Sequence, residues 1–247
     1  MSAPLHIGIV ACSAEGAALC YRTLCAQGSA FLGPHGHPEV SMHSASLADY
    51  VRCLEAGDLD GVGELMLASA RKLAAIGADF LICPDNTVHQ AFDYVAARSP
   101  LPWLHIADVV ADEALQRGYR RLGITGTRWL VGSNVYPERL AARGLQWRRP
   151  DAASLQETNR IIMDELVPGV VQPQSVVVFQ HLIQRMKAQG CDAVILGCTE
   201  IPLVIGDHNA ALPTLDSTRL LARAALLRAV GGRQAPPQPP PQDTEAI

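Results

Sequence analysis

The sequence predicts an α/β protein in which helices connect parallel strands, and three observations support this. Short apolar runs alternate with longer amphipathic segments along most of the 247 residues, which is the pattern of parallel strands and crossover helices. One unit of this pattern occurs twice without a gap, as GADFLICPDN from Gly77 and as GCDAVILGCT from Gly190. A polar turn follows the apolar run in both copies, and open α/β sheets bind ligands beyond the carboxyl ends of their strands.

The pattern of apolar residues predicts where the individual strands and helices lie. Short apolar runs bounded by polar or Gly-containing turns predict strands, in chain order at residues 6–10, 39–42, 80–83, 121–125, 145–148, 193–196 and 212–215. Apolar residues that recur every three to four positions predict helices, in chain order at residues 15–27, 61–76, 88–98, 108–117, 136–143, 154–166, 175–189 and 217–230. Because predicted strands and predicted helices alternate along most of the chain, we expect most helices to connect neighbouring parallel strands.

Composition restricts the partners of the chain. With 49% hydrophobic residues it can bury a substantial core, so we expect a soluble, cytoplasmic protein. A net charge of -4 without a basic block does not attract nucleic acid or anionic lipid, and no run reaches the roughly 18 apolar residues of a membrane span. The seven cysteines show no CxxC spacing, which predicts reduced thiols rather than disulfides or a zinc site.

The repeated unit predicts a two-sided site. Its alignment places Asp85 opposite Cys198, and strand ends that face each other would present six polar side chains to one cleft: Asp85, Asn86, Thr87, Cys198, Thr199 and Glu200. Two opposed acid/base groups suit inversion at a carbon acid, where one removes a proton and the other delivers one. A thiol titrates near 8.5, and helix amino termini near Thr87 and Thr199 would favour the thiolate of Cys198.

Several segments resemble the aspartate/glutamate racemase family, whose members act on amino acids without a cofactor. VILGCTEIPL (194–203) is nearly identical to the second cysteine motif of that family, and GADFLICPDNTVH (77–89) is similar to its first catalytic motif. CSAEGAALCYR (12–22) is similar to its amino-terminal motif. The resemblance covers about residues 5–230 and implies an isomerase that racemises amino acids or related carboxylic acids without pyridoxal phosphate or another cofactor.

The resemblance also implies an architecture and a set of roles. It implies two similar parallel-sheet α/β domains that face each other across an active-site cleft, and a homodimer as a family tendency. Cys198 would be one acid/base, and the predicted substrate contacts are Ser13, Asn86, Thr87, Thr199 and Glu200. We expect the first domain at residues 1–105 plus 216–232 and the second at 106–215. Residues 233–247 are rich in Pro and Gln, which predicts a disordered tail.

Asp85 departs from the family pattern. Most members have Cys at this position, directly before Asn-Thr, and some have Thr. An ordinary Asp titrates about 4.6 pKa units below an ordinary thiol, but desolvation and a nearby carboxylate can raise its pKa by several units. We therefore predict that Asp85 is the second acid/base. The alternative is that it caps the loop or accepts a hydrogen bond there.

Other interpretations stay open from sequence. The chain could be a one-thiol isomerase or decarboxylase of the same superfamily, with Cys198 acting on one face, or a catalytically inactive carboxylate-binding protein. Arg22, Arg52 and Arg128 are candidates to bind a second carboxylate, and the sequence does not rank them. His35 and His37 lie in a Gly/Pro-rich loop without further ligands at zinc spacing, so we predict no metal.

Overall fold

The computed structural model describes residues 3–231, which form two parallel-sheet α/β domains. The first sheet has the strand order β2-β1-β3, with β1 at Ile7–Ala11, β2 at Val40–Ser44 and β3 at Phe80–Ile82. The second has the order β5-β4-β6-β7, with β4 at Arg121–Thr125, β5 at Gln146–Arg148, β6 at Ala193–Leu196 and β7 at Thr214–Asp216. The predicted fold class is confirmed. The predicted tail at 233–247 lies outside the described residues.

Ten α-helices occur in the described part of the chain. They are α1 at Ala14–Leu32, α2 at Leu47–Ala56, α3 at Leu59–Ala75, α4 at Phe92–Ala96, α5 at Ile106–Gln116, α6 at Arg128–Gly132, α7 at Val135–Ala141, α8 at Ala152–Ile161, α9 at Pro173–Ala188 and α10 at Ser217–Ala229. Short 3₁₀ turns cover Thr87–Ala91 and Ile201–Leu203, and a π-helical turn covers Ile162–Leu166. Every predicted strand overlaps an observed one, whereas α2 and α6 were not predicted.

Three strands are buried on both faces, as their uninterrupted apolar sequences require. All residues of β1, β3 and β6 are buried, because helices cover both sides of a parallel sheet. Strands β2 and β5, each at one end of its sheet, instead contain only partly buried and exposed positions. The carboxyl ends of β1 and β3 in one sheet, and of β4 and β6 in the other, are therefore held by rigid cores.

The repeated unit seen in the sequence has one structure in both domains. Gly77 and Gly190 have positive φ angles of 92° and 83° and separate α3 from β3 and α9 from β6. Two residues later, Asp79 Oδ2 accepts the backbone N–H that precedes β1, and Asp192 Oδ2 accepts the backbone N–H that precedes β4, both at 2.7 Å. Each Asp thus fixes its own strand against the first strand of its sheet.

The carboxyl-terminal helix returns to the first domain. Helix α10 follows β7 of the second sheet, but it packs against α1 and α5. Its residues Leu221, Ala222 and Ala225 are buried with Ile7 of β1 and Ile106 of α5. The two domains are therefore joined through α5 and α10 as well as through the cleft. The boundaries proposed above, at residues 105 and 216, stay a prediction.

Two further expectations concern the whole chain. All seven cysteines lie within the described residues, and none of them is joined in a disulfide. Over residues 3–231, no helix combines the length and the apolar character that a membrane crossing requires.

Candidate active site

A cavity lies between the carboxyl ends of the two sheets. It is bordered by residues that follow β1, β3, β4 and β6, and its volume is about 50 Å³. All of the predicted site residues border it: Ser13, Asp85, Asn86, Thr87, Cys198, Thr199 and Glu200. The structure thus brings both copies of the repeated unit to a single site, although their contact with a substrate stays a prediction.

A second cavity adjoins the first. It has a volume of about 230 Å³ and extends along Ala14, Glu15, Ser44 and Ala45. The two cavities share five bordering residues, namely Cys12, Ser13, Leu47, Val167 and Glu200. Because Glu15 and Ser44 are exposed, this space connects the site to the protein surface and offers more room than the inner cavity alone.

Cys198 and Glu200 form a hydrogen-bonded pair on the second domain. The Cys198 thiol donates to Glu200 Oε2 at 2.9 Å, and the exposed fractions of the two residues are 8% and 2%. Burial raises the pKa of the Cys198 thiol well above its usual value, and the charge and hydrogen bond of Glu200 raise it further. The resting group is therefore a neutral thiol whose proton already points at a carboxylate.

This result corrects the expected effect of the helix dipoles. We expected helix amino termini at Thr87 and Thr199 to favour the thiolate of Cys198. Only short 3₁₀ turns follow the two strands, at Thr87–Ala91 and Ile201–Leu203, and their partial charges do not offset burial beside Glu200. The expectation is wrong in sign, because the pKa of Cys198 is raised.

Asp85 carries a perturbed carboxyl on the first domain. Burial raises its pKa to about 6, and the negative charge of Glu200 is the second cause. Hydrogen bonds from the Cys12 thiol and from the backbone amides of Val88 and Thr87 oppose this rise. The difference between this carboxyl and an ordinary thiol shrinks from about 4.6 to about 2.5 pKa units.

Asp85 also has the alternative role considered above. Its Oδ1 accepts the backbone N–H of Thr87 at 2.9 Å and lies 3.4 Å from that of Val88, which caps the 3₁₀ turn. Capping and proton transfer do not exclude each other, because the carboxyl also borders the cavity. The local turn fixes the direction of the side chain.

Hydroxyl groups connect the amino-terminal motif to Glu200. Thr199 Oγ1 donates to Glu200 Oε2 at 2.8 Å, so the single proton of Thr199 is used there. Ser13 Oγ therefore donates to Thr199 Oγ1 at 2.9 Å, and it accepts the backbone N–H of Gly16 as the cap of α1. This chain crosses from the first domain to the second and orients the carboxylate that Cys198 contacts.

Asn86 and Thr87 also join the two domains. Asn86 Nδ2 donates to Ser217 Oγ at 2.9 Å, and Asn86 Oδ1 accepts from the Tyr136 hydroxyl at 2.6 Å. The Thr87 hydroxyl lies 3.0 Å from that of Thr127. The Asn86 side chain is thus engaged at both ends, which fixes the relative position of the strand ends.

The remaining wall of the cavity is apolar and comes from α2 and α6, which we did not predict, and from a π-helical segment within the helix predicted at 154–166. Side chains of α2, of α6 and of the π-helical segment border the cavity, namely Leu47, Val51, Leu54, Trp129, Ile162, Met163 and Val167. Single π-helical turns are frequent at functional sites. No Lys or Arg is among the described residues that border this cavity. The three candidate arginines, Arg22, Arg52 and Arg128, are exposed and are not among the residues that border this cavity.

Cys12 is the site residue that the sequence analysis missed. It borders both cavities, and burial followed by the charge of Asp85 raises the pKa of its thiol. Its position directly before Ser13 was the available signal, but nothing in the sequence places β1 beside β3. Within residues 3–231, no cluster of three or more His, Cys, Asp or Glu side chains is arranged to hold a metal ion.

Gly197, directly before Cys198, is packed against the backbone of the neighbouring strand. An added Cβ would lie 2.5 Å from the carbonyl oxygen of Thr125 and 2.6 Å from Leu130 Cδ2. We expect Gly197→Ala to lower the free energy of unfolding by about 1–3 kcal/mol and to displace Cys198. Urea denaturation measures the first effect and enzyme activity the second. The matched control is Gly132→Ala, because no atom lies within 4 Å of that Cβ position; equal losses in both variants would contradict the steric explanation.

The sequence model of the Asp/Glu/Hydantoin racemase family matches residues 8–225. The chain belongs to this family. Among its relatives, the broad specificity amino-acid racemase RacX of Bacillus subtilis is 25% identical over 172 residues, which is 68% of this chain and 73% of RacX. This member of the Asp/Glu/Hydantoin racemase family is therefore an isomerase, and the family resemblance stated above is confirmed.

Solved structures agree with the fold of this racemase. A Yersinia pestis protein described as a candidate Asp/Glu racemase superposes with a TM-score of 0.83 at 30% identity, over 92% of this chain and 99% of that one. An aspartate racemase homologue from Pyrococcus horikoshii superposes with a TM-score of 0.77 at 27% identity, over 91% and 98% of the two chains. The two-domain architecture is thus that of the family over nearly its whole length.

Proposed function

We propose that this racemase interconverts the enantiomers of an amino acid, or epimerises a related compound, without a cofactor. Cys198 acts on one face of the α carbon and Asp85 serves the opposite face. One observation carries the proposal: the two side chains come from equivalent strand ends of different domains and border one cavity. A proton can then be removed on one side and delivered on the other.

The Cys198 side of the reaction uses Glu200. When Cys198 is the base, its proton passes to the carboxylate that already accepts its hydrogen bond at 2.9 Å. When Cys198 is the acid, its neutral thiol delivers the proton directly. Ser13 and Thr199 hold Glu200 in place through their hydroxyl chain. General acid–base groups positioned in this way typically accelerate proton transfer by 10²–10⁴-fold.

The turns after β3 and β6 orient the substrate. We propose Ser13, Asn86, Thr87, Thr199 and Glu200 as the substrate contacts. Because both polar groups of the Asn86 side chain are already hydrogen-bonded, a substrate carboxylate would be held by backbone N–H groups of the turns and by the Thr87 hydroxyl. The α-ammonium group would then lie towards Glu200.

The apolar wall defines the substrate side chain. A side-chain carboxylate would enter a space bordered by Leu47, Val51 and Trp129, with no described Lys or Arg beside it. It would also approach the charge of Glu200, and unpaired buried charges are costly. We therefore propose that small and medium apolar amino acids are better substrates than aspartate or glutamate.

The test is α-hydrogen exchange in deuterated buffer with a panel of amino acids. We expect deuterium at the α carbon together with loss of optical purity. We also expect kcat/KM to be at least about tenfold higher for an amino acid with an apolar side chain than for a dicarboxylate, because one buried unpaired charge costs more than 1.4 kcal/mol. Proton NMR measures exchange and chiral chromatography measures inversion. Folded protein that exchanges no panel member would exclude racemisation and leave the ligand-binding interpretation.

Two accompanying expectations stay predictions. We expect a cytoplasmic enzyme and a homodimer, and size-exclusion chromatography with light scattering measures the second of these.

A further inference from the structure

Cys12 and Asp85 form a thiol–carboxylate pair on the first wall of the cavity. Cys12 follows β1 and Asp85 follows β3, and these strands pair Ile9 with Ile82. Cys12 is three residues after Ile9 and Asp85 is three residues after Ile82, so the two side chains occupy equivalent places beyond adjacent parallel strands. Burial raises the pKa of the Cys12 thiol and the adjacent Asp85 carboxyl raises it further, and both side chains border the cavity.

The opposite wall carries the same chemical pair. There the Cys198 thiol donates to Glu200 at 2.9 Å. Cys12 is 5% exposed and Cys198 is 8% exposed, so both thiols are buried except where they meet the cavity. Burial is the main cause that raises the pKa of Cys12 and of Asp85, and the negative charge of Glu200 adds to both shifts, so the two pairs interact electrostatically across the cavity.

We propose that the sulfur of Cys12 is the group of the first wall that exchanges a proton with the α carbon, and that Asp85 is its proton acceptor. The inference rests on the racemase function proposed above and assigns the contact with substrate to a residue of β1. Cys12 supplies a thiol to that wall from the strand next to the one that precedes Asp85.

The chemistry favours sulfur as the contacting atom. A thiolate is a stronger base than a carboxylate, and proton transfer from a weakly acidic carbon becomes faster with a stronger base. The rise in the pKa of Asp85 to about 6 brings this carboxyl closer to a thiol, so it accepts the Cys12 proton at a lower cost than an ordinary Asp would. Asp85 alone would have to act as a much weaker base.

The proton balance closes over one turnover. Asp85 takes the proton of Cys12, and the resulting thiolate removes the α proton and forms a new S–H bond. The electron pair of the broken C–H bond is delocalised into the substrate carboxylate. The Cys198 thiol then protonates the carbanion from the other side and becomes a thiolate. Loss of a proton from Asp85 to solvent and gain of one by Cys198 restore the starting state.

The experiment compares Cys12→Ala with Cys198→Ala, starting from each pure enantiomer in deuterated buffer. We expect Cys12→Ala to reduce inversion at least about 100-fold. It should still incorporate α-deuterium with retention into the enantiomer whose α hydrogen faces Cys198. Cys198→Ala should retain slow exchange of the opposite enantiomer only. A purely structural role for Cys12 would not produce this reciprocal pattern.

The matched control is Cys20→Ala, because Cys20 is fully buried on α1 in the same domain and belongs to the core rather than to the cavity. It should keep wild-type inversion.

Inversion within threefold of wild type in Cys12→Ala would overturn the proposal and leave Asp85 as the direct base. Equal loss of exchange in both enantiomers would also overturn it. If Cys12→Ala is poorly folded, Cys12→Ser provides the same comparison, since an alcohol does not replace a thiol as base. Absence of exchange in the wild-type enzyme would instead exclude the racemase function itself.

Discussion

Replacement of Cys198 by Ala should reduce racemisation in both directions by roughly 10⁴-fold, the upper range for loss of a general acid–base group. The thiol is the group that the second wall presents to the cavity, and its hydrogen bond to Glu200 at 2.9 Å holds it in one orientation. Removal of the sulfur leaves Thr199 as the donor to Glu200 and leaves the carbanion without a proton source on this face. Initial rates measured by polarimetry from each enantiomer give the loss.

Cys191→Ala is the matched control for Cys198→Ala. Cys191 lies at the start of the same repeated unit, is 5% exposed against 8% for Cys198, and packs in the same core cluster. It does not border the cavity, so the control loses a buried sulfur at comparable cost in stability and should keep its activity. Activity within tenfold of wild type in Cys198→Ala would remove this thiol from the mechanism.

The polar strand ends could be predicted because their signal is local. An amphipathic helix, a Gly, a buried apolar run and a polar turn occur in that order twice, and each feature depends on a few consecutive residues. In the structure, Gly77 and Gly190 do adopt positive φ angles, and Asp79 and Asp192 bond to equivalent backbone groups. Parallel sheets then place equivalent strand ends at one edge.

The partners within the site could not be predicted, because they depend on register between distant segments. Cys12 meets Asp85 only because β1 pairs with β3 in one register. The apolar wall is formed partly by α2, where only a short stretch of the sequence shows helical periodicity. It is also formed by a π-helical turn that interrupts the predicted helix at 154–166. The direction of the pKa shift of Cys198 depends on Glu200 and on burial, and neither follows from a helix start in the sequence.

Replacement of Asp85 by Asn should reduce racemisation by roughly 10³-fold, since a general base is lost while the shape of the side chain is kept. Asn Oδ1 can still accept the backbone N–H of Thr87, so the 3₁₀ turn should persist. The Cys12 thiol would no longer have a titratable acceptor. A one-thiol mechanism, with Cys198 alone, predicts instead that Asp85→Asn keeps its turnover within about threefold. The same kinetic assay therefore separates the two mechanisms.

The same substitution should change how stability depends on pH. The folded-state pKa of Asp85 is raised to about 6, above the ordinary value near 3.9. A raised carboxyl pKa favours the folded state at low pH, and this contribution is lost as the pH rises through about 6. Between pH 4 and pH 7, the wild type should therefore lose stability relative to Asp85→Asn, by at most about 3 kcal/mol.

Urea denaturation at pH 4, 5, 6 and 7 measures this difference. The control is Asp93→Asn, because the Asp93 side chain is 92% exposed on the helix that follows the same turn. A pH-dependent difference of equal size in Asp93→Asn would show that the effect does not come from burial of the Asp85 carboxyl. If the Asp85→Asn difference also stayed constant, the carboxyl would titrate like an ordinary Asp. It would then be far too weak a base to draw the proton from Cys12, and catalysis on the first wall would need another group.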